Sequence, residues 1–480
     1  MNNLMHLTHR RLKLNATIDS GLRQQLEQYE QQHVLQFWDQ LDAEQQSSLA
    51  ESLSNIDFAQ LGELFAAASS ESSWAELAAA AKVPPAKTLE DFANAASFAK
   101  AREKGLETLR GGKVAMVIVA GGQGSRLGFD HPKGLFPIGP ISERTLFQIF
   151  FENVKARGAE SDTTIPLYIM TSPPTHVETV EFLKQNNWFG IDEKDVRVFC
   201  QGTMPAVDEN GKLILESKGS IFRSPDGHGG TLKALEVNGC LADMEQRGIE
   251  HLFYAQIDNP LVQVCHPALI GYHVLSGSEM TSQVVRKSEP LQKVGNVVEV
   301  DGVVQIIEYS DLPEEYARQT NDDGSLKLWA GSIAVHIFTA DFLKRSVANA
   351  DSLPFHRAHK KVPFVNTEGT LVSPDAPNAF KFEKFIFDLL PSAKNAIVCE
   401  VDPAEGFCAV KNAPPAPSET PQHVKDAIAN LHRSWLESAG ATVADEVKVE
   451  ISPLFATDRE ALAAKIEPGT TIDSDKYFDA

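Results

Sequence analysis

VAMVIVAGGQGSRLGFDHPKG, residues 114 to 134, decides how this chain folds. Its opening run, Val114 to Ala120, is apolar without a break, as expected of a strand buried on both faces. Gly121, Gly122 and Gly124 follow at once. Glycines allow a tight turn and let the backbone approach a ligand without a Cβ clash. Successive N–H groups in such a turn form a concavity for an anion. Arg126 and Lys133 add two cations to the same short segment, an arrangement suited to a triphosphate.

The reading extends outward from this strand and turn. Apolar runs recur at PLYIMTS (166 to 172), VRVFC (196 to 200), HLFYAQID (251 to 258) and SIAVHIF (332 to 338). Amphipathic runs such as TLFQIFFENVKARG (145 to 158) and THVETVEFLKQNN (175 to 187) lie between them. Strand alternating with helix predicts an α/β fold with a mixed, mostly parallel sheet covered on both faces. Ligands of such sheets bind at the carboxyl ends of the strands, so motifs just after those strands carry weight. VVEVDGVVQIIEY (297 to 309) differs: Asp301-Gly302 between β-branched runs predicts a hairpin near the sheet edge.

Residues 20 to 95 carry helical periodicity, broken at Pro84-Pro85. NAPPAPSETP (412 to 421) has the composition of a linker. Three parts are expected: a helical N-terminal region (1–99), a catalytic domain (100–411) and a small C-terminal domain (412–480).

Composition narrows the function. A chain of 480 residues with net charge -21 repels nucleic acid and anionic membranes. It has neither an apolar run long enough to span a bilayer nor the apolar core of a signal peptide near its start, so a cytoplasmic location is expected. Five cysteines with no C-x-x-C pair predict reduced thiols, with neither a disulfide framework nor a zinc site.

The glycine turn fails the spacing of a Walker loop. Against a dinucleotide fingerprint, the next strand ends in Met170-Thr171-Ser172 and offers no acid for a ribose. A strand-to-helix turn without a ligand stays open on the glycines alone.

VAGGQGSRLGFDHPKG resembles the signature loop of the UDP-sugar pyrophosphorylases, most of all the eukaryotic-type UDP-N-acetylhexosamine enzymes. The resemblance continues in order through LYIMTS, QGTMPAVDENGKLIL, SPDGHGG, GIEHLFYAQIDNPLV, VVEVDGVVQIIEYSDL, WAGSIAVHIF, HKKVPFV and KFEKFIFDLLP. It implies a Rossmann-like nucleotidyltransferase that joins UTP and a sugar 1-phosphate, with Mg²⁺ or Mn²⁺, to give a UDP-sugar and pyrophosphate. N-acetylglucosamine 1-phosphate is the implied sugar. A glucose- or galactose-type UDP-sugar pyrophosphorylase and a catalytically silent nucleotide-sugar-binding protein are the alternatives. A monomer or weak homo-oligomer is expected.

The resemblance also implies residue roles. Arg126, Lys133 and Lys411 match catalytic cations on the phosphates, with Lys381 a further one. Val119, Ala120, Gly121, Gly122 and Gln201 match the uridine side. Gly227 and His228 match a ribose or sugar contact. Asp258 matches the metal ligand. Gly295, Glu308, Tyr309 and Ser332 match the sugar side. Two departures stand out. His228 replaces an asparagine, and in GSIAVHIF both Ser332 and Val335 stand where the family commonly has asparagines.

Overall fold

A computed structural model of the chain describes residues 18–66, 71–349 and 353–480. They group into two compact units. One gathers the described residues of Met1–Ser69 with Thr203–Gly227 and Phe355–Lys384; the other holds Ser70–Gly202, His228–Pro354 and Phe385–Ala480. This interleaving differs from the linear three-part division expected above. The excursions 203–227 and 355–384 build their own small sheet and pack with the first helices instead of continuing the main one.

The larger unit is built on a ten-stranded sheet. Its strands are β1 (Ala86–Lys87), β2 (Val114–Val119), β3 (Leu167–Thr171), β4 (Val196–Cys200), β5 (His251–Gln256), β6 (Met280–Arg286), β7 (Gly295–Val300), β8 (Val303–Ile307), β9 (Ala330–Thr339) and β10 (Ile397–Glu400). The order is β1-β10-β6-β9-β5-β2-β3-β4. All these neighbours run parallel except β9, which is antiparallel to both β5 and β6.

Strand β2 explains its own sequence. Val114, Met116 and Ile118 enter one hydrophobic cluster with the helices Ala95–Arg110, Leu146–Glu160 and Pro267–Ser276. Ala115 and Val117 enter another with Thr231–Val237, Cys240–Gln246 and Ala340–Val347. Successive side chains of a strand point to opposite faces, so a strand covered on both must be apolar at every position.

The predicted hairpin is β7 and β8. Asp301 and Gly302 both have positive φ, 51° and 81°, as a two-residue turn of this hand requires. Its position corrects the expectation of a sheet edge, because β7 pairs with the inner strand β9. The cause is an irregularity in β9. Between Ser332 and Val335 the register against β6 shifts, and Ala334 takes φ 55°. Before the shift β9 lies beside β6 and β7; after it, beside β6 and β5.

The N-terminal region is not wholly helical. After the helix Glu71–Ala80 and the two prolines, the chain contributes β1 to the main sheet. The proline-rich stretch is also more than a linker. Lys411 and Asn412 donate their N–H groups to Glu419 O, and Ala413 donates to Arg126 O, which fix it as a closed loop. The helix Pro421–Ser438 and two short parallel strand pairs follow.

The smaller unit has a three-stranded sheet from Phe355–Lys360, Ala379–Lys384 and Val207–Asp208. Leu26, Leu49, Leu53, Leu215 and Phe382 are among its buried residues. Among the described residues, no helix is long and apolar enough to cross a membrane. All five cysteines are free thiols. Burial pushes Cys240, Cys265 and Cys399 up to about 12, which makes them poor nucleophiles.

Candidate active site

The parallel strands β2, β3, β4 and β5 end on the same side of the sheet, and Gly121, Gly122, Arg126, Lys133, Gln201 and Asp258 follow the ends of β2, β4 and β5. After β2, Gly122 O accepts from Lys133 N at 3.0 Å and Gly124 N donates to His131 O at 2.8 Å. Residues 121 to 134 thus form a folded-back turn. Val119 is half-buried, Ala120 is buried, and Gly122 and Arg126 are exposed. Gly121 is held from the next strand, where Ser172 Oγ donates to its carbonyl at 2.6 Å.

Gln201, just after β4, is buried and donates its backbone N–H to Thr171 O at 2.8 Å. A Cβ on Gly121 would lie 3.0 Å from Gln201 Oε1. The glycine therefore brings the turn's backbone against that amide, so two residues expected on the uridine side lie together.

Lys133 is the centre of the charged end. Only 8% of it is exposed, and its Nζ lies 3.5 Å from Asp258 Oδ2 and 3.3 Å from Val410 O. Val410 N in turn donates to Asp258 O at 2.9 Å. These contacts set the segment bearing Lys411 against the residue that follows β5. Lys411 itself pairs with Glu419 Oε1 at 3.0 Å. Asn259 completes the arrangement, with Oδ1 accepting from Cys408 N and Nδ2 donating to Gly406 O. Sequence reading passed over Ser172 and Asn259; their one signal was that each directly adjoins a strand-end motif.

Among the described residues, no cluster of three or more His, Cys, Asp or Glu side chains could hold a metal alone. Asp258 offers a single carboxylate. A hard cation that keeps water and substrate phosphate oxygens around it needs little more from the protein, so this donor set fits Mg²⁺ or Mn²⁺.

The residues expected on the sugar side converge separately. Gly295 is paired with Ser332 across β7 and β9. A Cβ on Gly295 would lie 3.1 Å from Glu308 Oε1 and 3.8 Å from Ser332 Cβ. Three residues far apart in the chain thus share one spot, with Tyr309 exposed beside Glu308. Ser332 Oγ accepts from Ala334 N at 3.4 Å, so the serine partly satisfies its own strand irregularity.

His228 sits at the start of a short turn leading into the helix Thr231–Val237. Its Nδ1 accepts from Ile386 N at 3.2 Å, and its ring stacks on Phe385 at 5.1 Å. A neutral ring with Nδ1 so engaged carries its proton on Nε2. The smaller unit carries the other two predicted residues. Gly227 has φ 85°, and a Cβ there would lie 2.4 Å from Lys384 O. Lys381 is half-buried, with its Nζ 4.9 Å from the centre of the Phe222 ring, and burial holds its ammonium below the usual lysine range.

A partly enclosed cavity of about 230 Å³ lies elsewhere in the larger unit, lined by Phe98, Asn153, His266, Trp435 and Tyr477 among others. It contains none of the predicted residues. Its size alone does not make it the reaction site, because the convergent cations and glycines lie at the strand ends.

Comparison with known proteins bears on this arrangement. Residues 57–416 match the family model described as UTP–glucose-1-phosphate uridylyltransferase. The human UDP-N-acetylhexosamine pyrophosphorylase-like protein 1 is 37% identical over 441 residues, covering 89% of this chain and 87% of that protein. The UDP-N-acetylglucosamine pyrophosphorylase of Saccharomyces cerevisiae is 38% identical, over 72% of this chain and 75% of its own. The crystal structure of the Trypanosoma brucei uridine diphosphate N-acetylglucosamine pyrophosphorylase, in complex with an inhibitor, superposes with a TM-score of 0.79 at 25% identity, covering 96% of this chain and 99% of that one. With its glycine turn, its strand-end cations and these matches together, the chain belongs to the UTP–glucose-1-phosphate uridylyltransferase family of nucleotidyltransferases.

Proposed function

We propose that the chain transfers the uridylyl group of UTP to a sugar 1-phosphate, with N-acetylglucosamine 1-phosphate as the preferred acceptor. The observation that carries this reading is Lys133, buried at the carboxyl end of the sheet and set 3.5 Å from Asp258. A phosphate oxygen of the sugar 1-phosphate attacks the α-phosphorus of UTP. The bond from that phosphorus to the oxygen bridging to the β-phosphorus breaks, and pyrophosphate leaves with the electron pair. Negative charge grows on the departing group, and Lys133, Arg126 and Lys411 would stabilise it. The Gln201 amide supplies a donor and an acceptor, which suits a uracil edge beside Gly121. Glu308 accepts from sugar hydroxyls, with Gly295 leaving room for the ring and Tyr309 beside it. Asp258 would hold Mg²⁺ or Mn²⁺, which when bound neutralises charge on the α-phosphate.

The names of the human and yeast relatives support an N-acetylated acceptor. Ser332 and Val335 favour a second reading, a plain hexose 1-phosphate, because a serine hydroxyl replaces the amide the family commonly offers. The test is pyrophosphate release from UTP with N-acetylglucosamine, N-acetylgalactosamine, glucose and galactose 1-phosphates. Release with the N-acetylated sugars supports the first reading. Release confined to glucose or galactose supports the second. Tight UDP-sugar binding without release from any acceptor would sink transfer altogether.

A further inference from the structure

Among the described residues, the sugar-side hairpin pairs with the main sheet at two positions, Gly295 with Ser332 and Asn296 with Gly331, and is bridged farther along β7 by Glu299 with Lys82. Paired residues share a face and successive residues alternate. Gly295 and Ser332 therefore face the Glu308 carboxylate, while Asn296 and Gly331 face the other way. Behind them lies Lys287, only 5% exposed, which follows β6 directly. Its Nζ donates to Asn296 Oδ1 at 2.6 Å and to Pro290 O at 3.4 Å. Its backbone N–H is held by Trp329 O at 2.9 Å. Asn296, 2% exposed, passes the contact on: Nδ2 donates to Ile307 O at 3.3 Å and stands 3.5 Å from Val294 O. Ile307 immediately precedes Glu308.

We infer that Lys287 is a positioning residue for the sugar 1-phosphate side, clamping the hairpin from behind through Asn296 so that Glu308 and Gly295 keep their spacing from Ser332. A buried ammonium whose partners are carbonyl oxygens is costly, and burial pushes this one down to about 8. Such a group persists where it fixes geometry that the backbone alone leaves loose. At the end of β7 that enters the site, two rungs of ladder hold Gly295 and Asn296, while the Lys82 bridge lies at Glu299, away from them. The amide at 296 reaches both the ammonium and the carbonyl ahead of Glu308. The path runs from Lys287 through Asn296 to Ile307, on the hairpin rather than the glycine turn, so its effect is expected on the sugar 1-phosphate.

The inference rests on the transferase reading above, and the experiment separates the two. Steady-state kinetics are measured for each substrate in the full-length enzyme, with Lys287→Met, Asn296→Asp and Asn296→Ser. The expected result is a rise of about ten-fold in KM for the sugar 1-phosphate, with KM for UTP within about two-fold. Asn296→Asp keeps an acceptor for Lys287 but loses the donor to Ile307 O, so it raises the sugar KM while the lysine stays paired. Should Lys287→Met fail to fold, the two Asn296 variants carry the test. Should these fail as well, amide exchange in the wild-type enzyme decides: protection at residues 295 to 308 that rises with the sugar 1-phosphate but not with UTP is expected. Equal changes in both KM values, unchanged sugar KM in folded variants, or exchange indifferent to the sugar overturns the inference. Wild-type enzyme without pyrophosphate release overturns the transferase reading instead.

Discussion

At the scale of single residues, charge and burial decide most. Lys133 stands between a carboxylate and a carbonyl with little water around it. If Lys133 meets the departing pyrophosphate as proposed, Lys133→Ala removes a fixed cation there, and kcat is expected to fall by about 10²- to 10³-fold, as for other preorganised stabilising groups. Full activity in that variant would show that the chemistry sits elsewhere. Ser332→Asn restores the amide common in the family. It is expected to raise kcat/KM for N-acetylglucosamine 1-phosphate relative to glucose 1-phosphate by several-fold, or about 1 kcal/mol. A ratio that stays level would mean that Ser332 does not select the sugar.

Asp226 gives a pH-dependent test. Burial pushes its carboxyl from 3.8 up to about 6, against the opposing pull of Lys384. The native state then holds the proton more tightly than the unfolded chain. Stability from this group is complete below about pH 4 and is lost as pH rises through about 6, a change of roughly 3 kcal/mol. Asp226→Asn cannot ionise, so its melting temperature relative to wild type is expected to rise between about pH 4 and pH 8. Parallel melting curves across that range would refute the assignment.

At the scale of elements, periodicity and turn chemistry were legible because they are local. The five apolar runs are strands, and the Asp301-Gly302 turn is a hairpin turn. The place of that hairpin was not legible. It depends on the irregularity at Ile333 and Ala334, which frees the first half of β9 to pair with β7. No local rule marks Ala334 for a positive φ, since alanine gains nothing there. The two-residue strand β1 was hidden for a similar reason: its partner lies more than 300 residues away in sequence. The turn permits a direct check. Gly302 has φ 81°, and a Cβ added to it would meet only open space, so substitution there is felt only in the backbone. Gly302→Ala is expected to lower stability by roughly 1 kcal/mol, and Gly302→Asn by less. Thermal melts that rank the two the other way would contradict a left-handed turn.

At the scale of the whole molecule, what the sequence concealed is which segments share a core. The residues expected on the nucleotide that adjoin β2, β4 and β5, such as Gly121, Lys133, Gln201 and Asp258, were readable because strand ends of a parallel sheet gather on one side. The smaller unit has no such rule behind it. Its core joins Leu22, Leu26, Leu49, Leu53, Phe58 and Leu61 from the first helices with Val207, Leu213, Leu215, Ile221 and Phe382 from two distant excursions. Each side would leave a broad apolar face in water without the other, at about 1.5–3 kcal/mol for each large side chain. The N-terminal helices are therefore part of a core rather than an appended cap. Deletion of residues 1 to 69 is expected to expose the strands at 207–208, 355–360 and 379–384, bind a hydrophobic dye and open the segments 203–227 and 355–384 to protease. The main sheet keeps its own two clusters, so the truncated chain should retain protected fragments, one holding β2 to β4 and another holding β5, that stay associated. A truncated protein that resists cleavage at both excursions and melts like the full chain would mean that their apolar residues find cover without the helices.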